Sequence, residues 1–292
     1  MVNFGLSETA SMRHRKRKFG KAMKAARLIL RNPYLLNNVL SEPDVWQEYV
    51  VREYGMEKGL PVINMNQLLG DQLHEVGPIT FLDGGSLPTD LALLRGLASR
   101  FTDCRYFEIG TWRGESVANL AGVAKECYTL NLSAKELKAM GVRSKYIYLL
   151  GYFSRTLDNV VHLEGNSMTF DFGGLNKKFD LVFIDGDHHY EKVKNDTRKA
   201  FQHLAHEKSI VVWHDYGYHP EKVRFEVLAG ILDGVQPSMI KDLYHVSQTK
   251  CALFINQEIK GRFLDPPEEP DEYYELKMKS RKMGPDSPRA QS

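Results

Sequence analysis

Cysteine is scarce in this chain, and the three residues present, Cys104, Cys127 and Cys251, stand far apart with no C-x-x-C pair. A disulfide framework and a zinc knuckle both need clustered cysteines, so neither is expected and the three read as buried thiols. Long apolar runs are missing too. The longest, Tyr146 to Leu150 and Cys251 to Ile255, are five residues each, against the roughly 18 or more that a membrane-spanning helix needs. The first residues put polar and basic side chains where a secretory signal places an apolar stretch of about 7 to 15 residues, so a cytoplasmic location is expected. No internal repeat is present. Acid is absent where base is densest: Arg13 to Arg31 holds nine Lys or Arg and no Asp or Glu, so the rest of the chain carries −7 although the whole is +2.

What is present is ordinary globular material. Over 292 residues, 42% are hydrophobic and 26% charged, which excludes a collagen-like, low-complexity or wholly disordered polymer. The front third offers helices at Phe19 to Arg31, stopped before Pro33, at Pro43 to Tyr54 after the capping residue Ser41, at Met65 to His74 and at Thr89 to Arg100. At the other end, Asp265 to Glu275 holds six acids and three prolines, and Lys277 to Lys282 adds four bases. That composition cannot fill a core, and a solvated, disordered tail is expected there.

From Cys104 onward, short apolar runs alternate with amphipathic stretches. Strands are expected at Cys104 to Ile109, Cys127 to Leu132, Val160 to Glu164, Phe179 to Asp185 and Ser209 to His214. Between them fall helices at Glu115 to Lys125, after the capping box Ser133-Ala-Lys-Glu136 and up to Gly141, at Lys145 to Arg155, and at Tyr190 to His206. Leu243 to Ser247 and Cys251 to Asn256 read as a closing antiparallel pair. Strands apolar on both faces that alternate with helices belong in a covered parallel sheet. The expected fold is therefore α/β: a doubly wound, mostly parallel, seven-stranded Rossmann-like sheet with helices on both faces, plus an N-terminal helical extension. The expected units are a helical extension with a basic leader (1–84), the sheet domain (85–257) and the tail (258–292).

In such a sheet, ligands bind beyond the carboxyl ends of the strands where the strand order reverses. The first of those ends reads Phe107-Glu-Ile-Gly-Thr-Trp-Arg-Gly-Glu-Ser116. Gly110 and Gly114 let the backbone turn sharply and approach a ligand closely. The G-x-G-x-x-G fingerprint of dinucleotide binding is not met, because Trp112 fills its middle position, so nicotinamide is disfavoured. An acid, Glu108, beside a glycine turn suits a ligand with a cationic amine; an ordinary strand-to-helix turn accounts for the glycines equally well. Asp185-Gly-Asp-His-His-Tyr190 is the densest cluster of ionisable side chains, and a following helical stripe of Tyr190, Val193, Ala200, Phe201 and Leu204 holds it at the mouth of the sheet. His188 or His189 can take a proton from a substrate hydroxyl, while His189 also suits a helix cap. His214 and Asp215, after Ile210 to Trp213, leave the sheet near the same crevice.

Taken together, EIGTWRGES, FIDGDHHYEKVKND and VVWHDY resemble the class I methyltransferases that use S-adenosylmethionine (SAM), and among them the small-molecule O-methyltransferase-like group with a D-G-x-H-x-Y segment after the fourth strand. The resemblance covers about Ser86 to Asn256. It implies SAM as cofactor, with Glu108 and Gly110 at its methionine end, Thr111 and Gly114 in the turn beneath, and Ser116 opening the next helix. It further implies Asn131 at the ribose, Asn166 and Ser167 at the adenine, and Asp185 facing the sulfonium and the acceptor. Trp112 departs from the family's frequent E-x-G-x-G-x-G. Asn131 stands where many members carry an acid, and an amide bonds a ribose without charge assistance, so weaker binding is expected. The implied catalytic set is Asp185, His188 and His214, with His188 matching the family's histidine.

Asp185, His214 and Asp215 also resemble the set by which metal-dependent relatives hold Mg²⁺ or a similar ion, although Mg²⁺ favours oxygen-only ligation. The alternative is that His214 and Asp215 bond one another and shape the acceptor pocket without a metal. The implied reaction moves a methyl group to a hydroxyl oxygen of a small molecule or saccharide, and a homo-oligomer is left open. A reading from another class makes the sheet a scaffold whose basic N-terminal helix makes a weak peripheral contact with an anionic membrane. Nucleic acid is not expected, because no aromatic stacking pattern accompanies the lysines.

Overall fold

The structure, a computed structural model, describes residues 5–31, 45–71 and 73–282, with side chains from residue 18 onward. The expected signals at Pro33, Ser41 and Pro43 lie outside the described residues. The chain divides into two units, Met1–Glu48 and Tyr49–Ser292. The first contains α1 (Gly5–Arg31), a helix of 27 residues that takes in the basic leader as well as the expected Phe19 to Arg31. α2 (Val45–Tyr54) runs from the end of the first unit into the second. No helix among the described residues is long and apolar enough to cross a membrane.

The second unit is built on one eight-stranded sheet. In chain order its elements are β1 (Val62–Ile63), α3 (Met65–Leu69), α4 (Pro88–Ala98), β2 (Arg105–Ile109), α5 (Glu115–Ala121), β3 (Glu126–Asn131), α6 (Ala134–Ala139), α7 (Ser144–Leu149), β4 (Val160–Glu164), β5 (Phe179–Ile184), α8 (Tyr190–Lys199), β6 (Ala205–Trp213), the small hairpin β7 (Gly217–His219) and β8 (Lys222–Val223), α9 (Phe225–Gly234), β9 (Leu243–Val246) and β10 (Ala252–Phe254). Across the sheet the strands run β1-β9-β10-β6-β5-β2-β3-β4. β2 to β6 are mutually parallel, and β10 lies antiparallel between β6 and β9. The order reverses between β2 and β5, which is where a doubly wound sheet opens a crevice. The seven expected strands are present in this Rossmann-like order.

The eighth strand, β1, is an addition that two residues could not announce. It pairs parallel to β9 and leaves a free edge, and a free edge offers unpaired backbone groups. The segment expected as a solvated tail supplies the partner: Val62 and Arg262 exchange backbone hydrogen bonds of 2.6 and 2.9 Å. Further along, Asn64 donates to Asp271 at 2.9 Å and Gln248 to the Glu272 carbonyl at 2.6 Å. Backbone pairing and side-chain bonds thus tie this stretch down without any apolar core of its own.

Elsewhere the local signals act as expected. Ser133 and Glu136 form the reciprocal capping box that opens α6, and Gly141 follows it with φ +79°. Four helices are clearly shorter than expected, with α3 ending at Leu69 and α5 at Ala121. α7 stops at Leu149 because the chain turns at Gly151, whose N–H donates to the Trp112 carbonyl at 2.7 Å. α8 gives way to a π turn, Ala200–Leu204, before β6 begins at Ala205. One continuous core joins Leu68, Leu93, Leu97 and Val117 of the helices before and after β2 to Tyr106, Leu181, Phe183, Val212 and Leu253 of the sheet, all buried. The opposite face meets α8, where the Trp213 indole N–H donates to Thr197 at 2.8 Å.

Candidate active site

Residues two apart on a strand share a face, so Tyr106 and Glu108 of β2 project together into the covered core, and both are wholly buried. The Tyr106 hydroxyl donates to Glu108 Oε2 at 2.8 Å. Thr129, the register partner of Glu108 on β3, donates to Oε1 at 3.0 Å. Burial disfavours the charged carboxylate and pushes Glu108 up to about 8; nearby Asp185 adds to this, and the hydroxyls of Ser116, Tyr106 and Thr129 only partly offset it.

Immediately beyond, Gly110 has φ +101°. A Cβ there would lie 2.1 Å from the Asp185 carbonyl oxygen, so only glycine lets the ends of β2 and β5 meet. Gly114, at φ +75°, is held by its N–H donating to the Thr111 carbonyl at 2.7 Å, and Ser154 Oγ stands 2.2 Å from where its Cβ would be. Thr111 and Ser116 are buried, and Thr111 shares a 2.6 Å hydrogen bond with Thr129. Trp112 takes φ +40° and stacks on Tyr146 of α7, with ring centroids 3.9 Å apart. Arg113 and Glu115 form a buried ion pair at 3.0 Å, and Arg113 also donates to the Asp83 carbonyl at 2.9 Å. The bulky residues that break the dinucleotide pattern thus brace the turn against α7 and the segment before α4.

At the ends of β5 and β6 a second cluster assembles. His214 is buried between two acids: Nε2 lies 3.1 Å from Asp90 Oδ2 and Nδ1 3.0 Å from Asp185 Oδ1, with Asp215 Oδ1 at 3.6 Å. The Nδ1 contact is close but off line, so this buried nitrogen has charge contact without a hydrogen bond. Burial alone would lower His214, but the flanking Asp185 and Asp90 outweigh it and push the imidazole up to about 10. Lys250 pairs with Asp215 at 3.0 Å; burial works against the Asp215 charge, yet His214 and Lys250 hold its carboxyl below the ordinary range. Asp185, His214 and Asp215 can each turn one ligand atom to within 4.8 Å of the others. Two carboxylates and an imidazole are a donor set that fits a divalent ion once the ion displaces the Nδ1 proton. Asp90 on the far nitrogen orients the ring, as carboxylates behind metal-bound histidines do.

His188 is half-exposed, with Nδ1 3.8 Å from Asp215 Oδ2, and its ring stacks on His189. His189 is the residue before α8, where it pairs with Asp187 at 2.6 Å. Asn131 ends β3 with its amide donating to the Leu132 carbonyl at 3.2 Å. Asn166 turns the chain after β4 by accepting the Met168 N–H at 3.0 Å, and the Ser167 carbonyl accepts from Lys199 at 2.9 Å.

The structure therefore brings Asp185, His214, Asp215 and His188 to one place beside the glycine turn, and sets Asn131, Asn166 and Ser167 at the ends of β3 and β4. Sequence reasoning missed Asp90, Lys250, Tyr106 and Thr129. Lys250 was within reach of it: once β10 pairs antiparallel with β6, Ala252 opposite Trp213 puts Lys250 level with Asp215. Asp90 carries only the mark of a helix first turn, 124 residues from its partner.

Residues 107–216 match the protein family described as Methyltransferase domain. No curated protein matches the sequence. Among solved structures, the chain is similar to an O-methyltransferase from Bacillus cereus in complex with SAH, at 17% identity and a TM-score of 0.40 over 78% of this chain and 97% of that one. It is similar to a fibrillarin/Nop5p complex at 22% identity and 0.30, and to the YcgJ protein of Bacillus subtilis at 16% and 0.32, over 38% and 43% of this chain. The chain spans about half the length of these last two, 49% of each. Likenesses this distant say nothing of the chemistry, for which the family match and the side chains themselves remain.

Proposed function

We propose, from the methyltransferase domain within residues 107–216, that residues 85–257 act as a SAM-dependent O-methyltransferase on a hydroxylated small molecule or saccharide. One observation carries the proposal: a left-handed glycine turn and a cluster of carboxylates and histidines share the carboxyl ends of β2, β5 and β6, at the reversal of strand order. Glu108 and the turn from Gly110 to Ser116 would seat the methionine end of SAM, Asn131 its ribose, and Asn166 with Ser167 its adenine. When bound, SAM would supply the methyl group to an acceptor oxygen, with its sulfur taking the bonding pair and leaving neutral, and His188 would receive the hydroxyl proton. Asp215 beside His188 stabilises the resulting imidazolium. His214, charged between Asp90 and Asp185, serves better as a fixed element of the acceptor pocket than as the base. Positioning can supply roughly 7 to 11 kcal/mol of the barrier.

A divalent ion would be held by Asp185, His214 and Asp215, and when bound it supplies positive charge that lowers the pKa of an acceptor hydroxyl. Without it, the Lys250 ammonium and the His214 proton face three carboxylates, Asp90, Asp185 and Asp215, so the cluster is one positive charge short. Isothermal titration of the full chain with SAM and with S-adenosylhomocysteine is expected to show saturable binding of both. Silence with both ligands at millimolar concentration overturns the proposal.

A further inference from the structure

None of the proposed chemistry uses α1. At about 100° per residue, Phe19, Met23, Ala26 and Leu30 fall within an arc of about 60° on this helix, and Lys21, Lys24, Arg27 and Arg31 occupy the remaining side. The apolar stripe is open: Phe19 is 70% exposed, Met23 59% and Leu30 83%. From Arg13 to Arg31 the helix carries nine Lys or Arg and no acid. Three large apolar side chains presented to water on one side, with positive charge on the other broken by half-exposed Leu28, suit a partner that is anionic outside and hydrocarbon just beneath. A nucleic acid would engage the cations and leave Phe19, Met23 and Leu30 unused, and a single strand would further call for several stacking aromatics, of which the stripe has one.

We propose that α1 lies in the interface of a bilayer rich in anionic phospholipid, its apolar stripe among the upper acyl chains and its lysines and arginines among the headgroups. The contact is peripheral, since the helix is too polar to cross the membrane. Placed there, the chain would meet acceptors held at a membrane surface.

Co-sedimentation of the full-length protein tests this with vesicles of phosphatidylcholine alone and of phosphatidylcholine mixed with phosphatidylglycerol. Binding is expected to the mixed vesicles only and to fall with added salt. The combined Lys18→Glu, Lys21→Glu and Lys24→Glu variant is expected to bind at least about a hundredfold more weakly, and Phe19→Ser with Met23→Ser and Leu30→Ser at least about tenfold more weakly. All six side chains are exposed, so the sheet domain is expected to fold and to bind SAM as before, which keeps this test separate from the methyl-donor proposal. Absence of sedimentation with either vesicle overturns the inference. So does equal binding by both variants and the parent, or retention on duplex DNA that mixed vesicles do not compete away.

Discussion

Glu108→Gln is expected to make the protein more stable while weakening its grip on SAM. The Glu108 carboxyl titrates near 4.5 when exposed and is pushed up to about 8 in the fold, first by burial. A raised acid keeps its proton in the folded state, so stability falls as pH climbs above the unfolded value and stops falling once the folded group ionises. At about 1.4 kcal/mol per pH unit, the loss reaches about 3 kcal/mol at pH 7 and has a ceiling of about 5 kcal/mol above pH 8. Glutamine removes this loss and keeps the shape. Its neighbours Tyr106, Thr129 and Ser116 are hydroxyls, which can turn to accept as well as donate. Urea unfolding of parent and variant at pH 4, 7 and 9 is the assay. The two should be close at pH 4, and the variant should gain with each step upward. A variant no more stable than the parent at pH 9 would refute the burial reasoning. Titration with SAM supplies the other half: if the ammonium of the ligand draws Glu108 into its charged form, parent affinity rises from pH 6 to pH 7.5, below the ligand amine's own titration at about 8, and variant affinity does not.

Gly110→Ala should cost about 3 kcal/mol or more in urea, since the new Cβ meets the Asp185 carbonyl and the backbone sits at φ +101°; a cost below 1 kcal/mol would show that β2 and β5 do not abut there. Asp90→Ala removes a buried carboxylate that accepts from Leu87 N–H at 2.7 Å and Lys250 N–H at 2.9 Å and balances His214, so a loss of about 3–5 kcal/mol is expected by the same method. His188→Ala is expected to slow turnover roughly 10²- to 10⁴-fold with SAM affinity unchanged in calorimetry; an unaltered rate removes it as the base. Asp233, despite partial burial, is lowered to about 2 by the hydroxyls of Tyr190 and Tyr54, by Lys194 and by Tyr49. Its contribution is present above about pH 4 and lost as pH falls through about 2, so Asp233→Asn should cost about 1–2 kcal/mol at pH 7 and nothing near pH 1.5, read by thermal unfolding.

Much of this molecule is written locally. Apolar runs mark β2, β3, β5 and β6 because a strand covered on both faces needs apolar residues throughout, β4 at the sheet edge being partly exposed, and Ser133 with Glu136 opens α6 because a cap acts within one turn. Gly110 and Gly114 announce a bend for the same reason: left-handed backbone is a property of the residue that adopts it. Those signals put Asp185, His188, His214 and Asp215 at strand ends, and strand ends in such a sheet share one edge. Only the tertiary structure decided what these groups are to one another. Asp90 reaches His214 across 124 residues of chain, Lys250 reaches Asp215 through a strand register, and β1 finds a second partner in Arg262, just ahead of the stretch of acids and prolines. The state of Glu108 is likewise tertiary, since charge in a protein depends on what excludes water around it, and no spacing of residues along a chain states how deeply one of them will be covered.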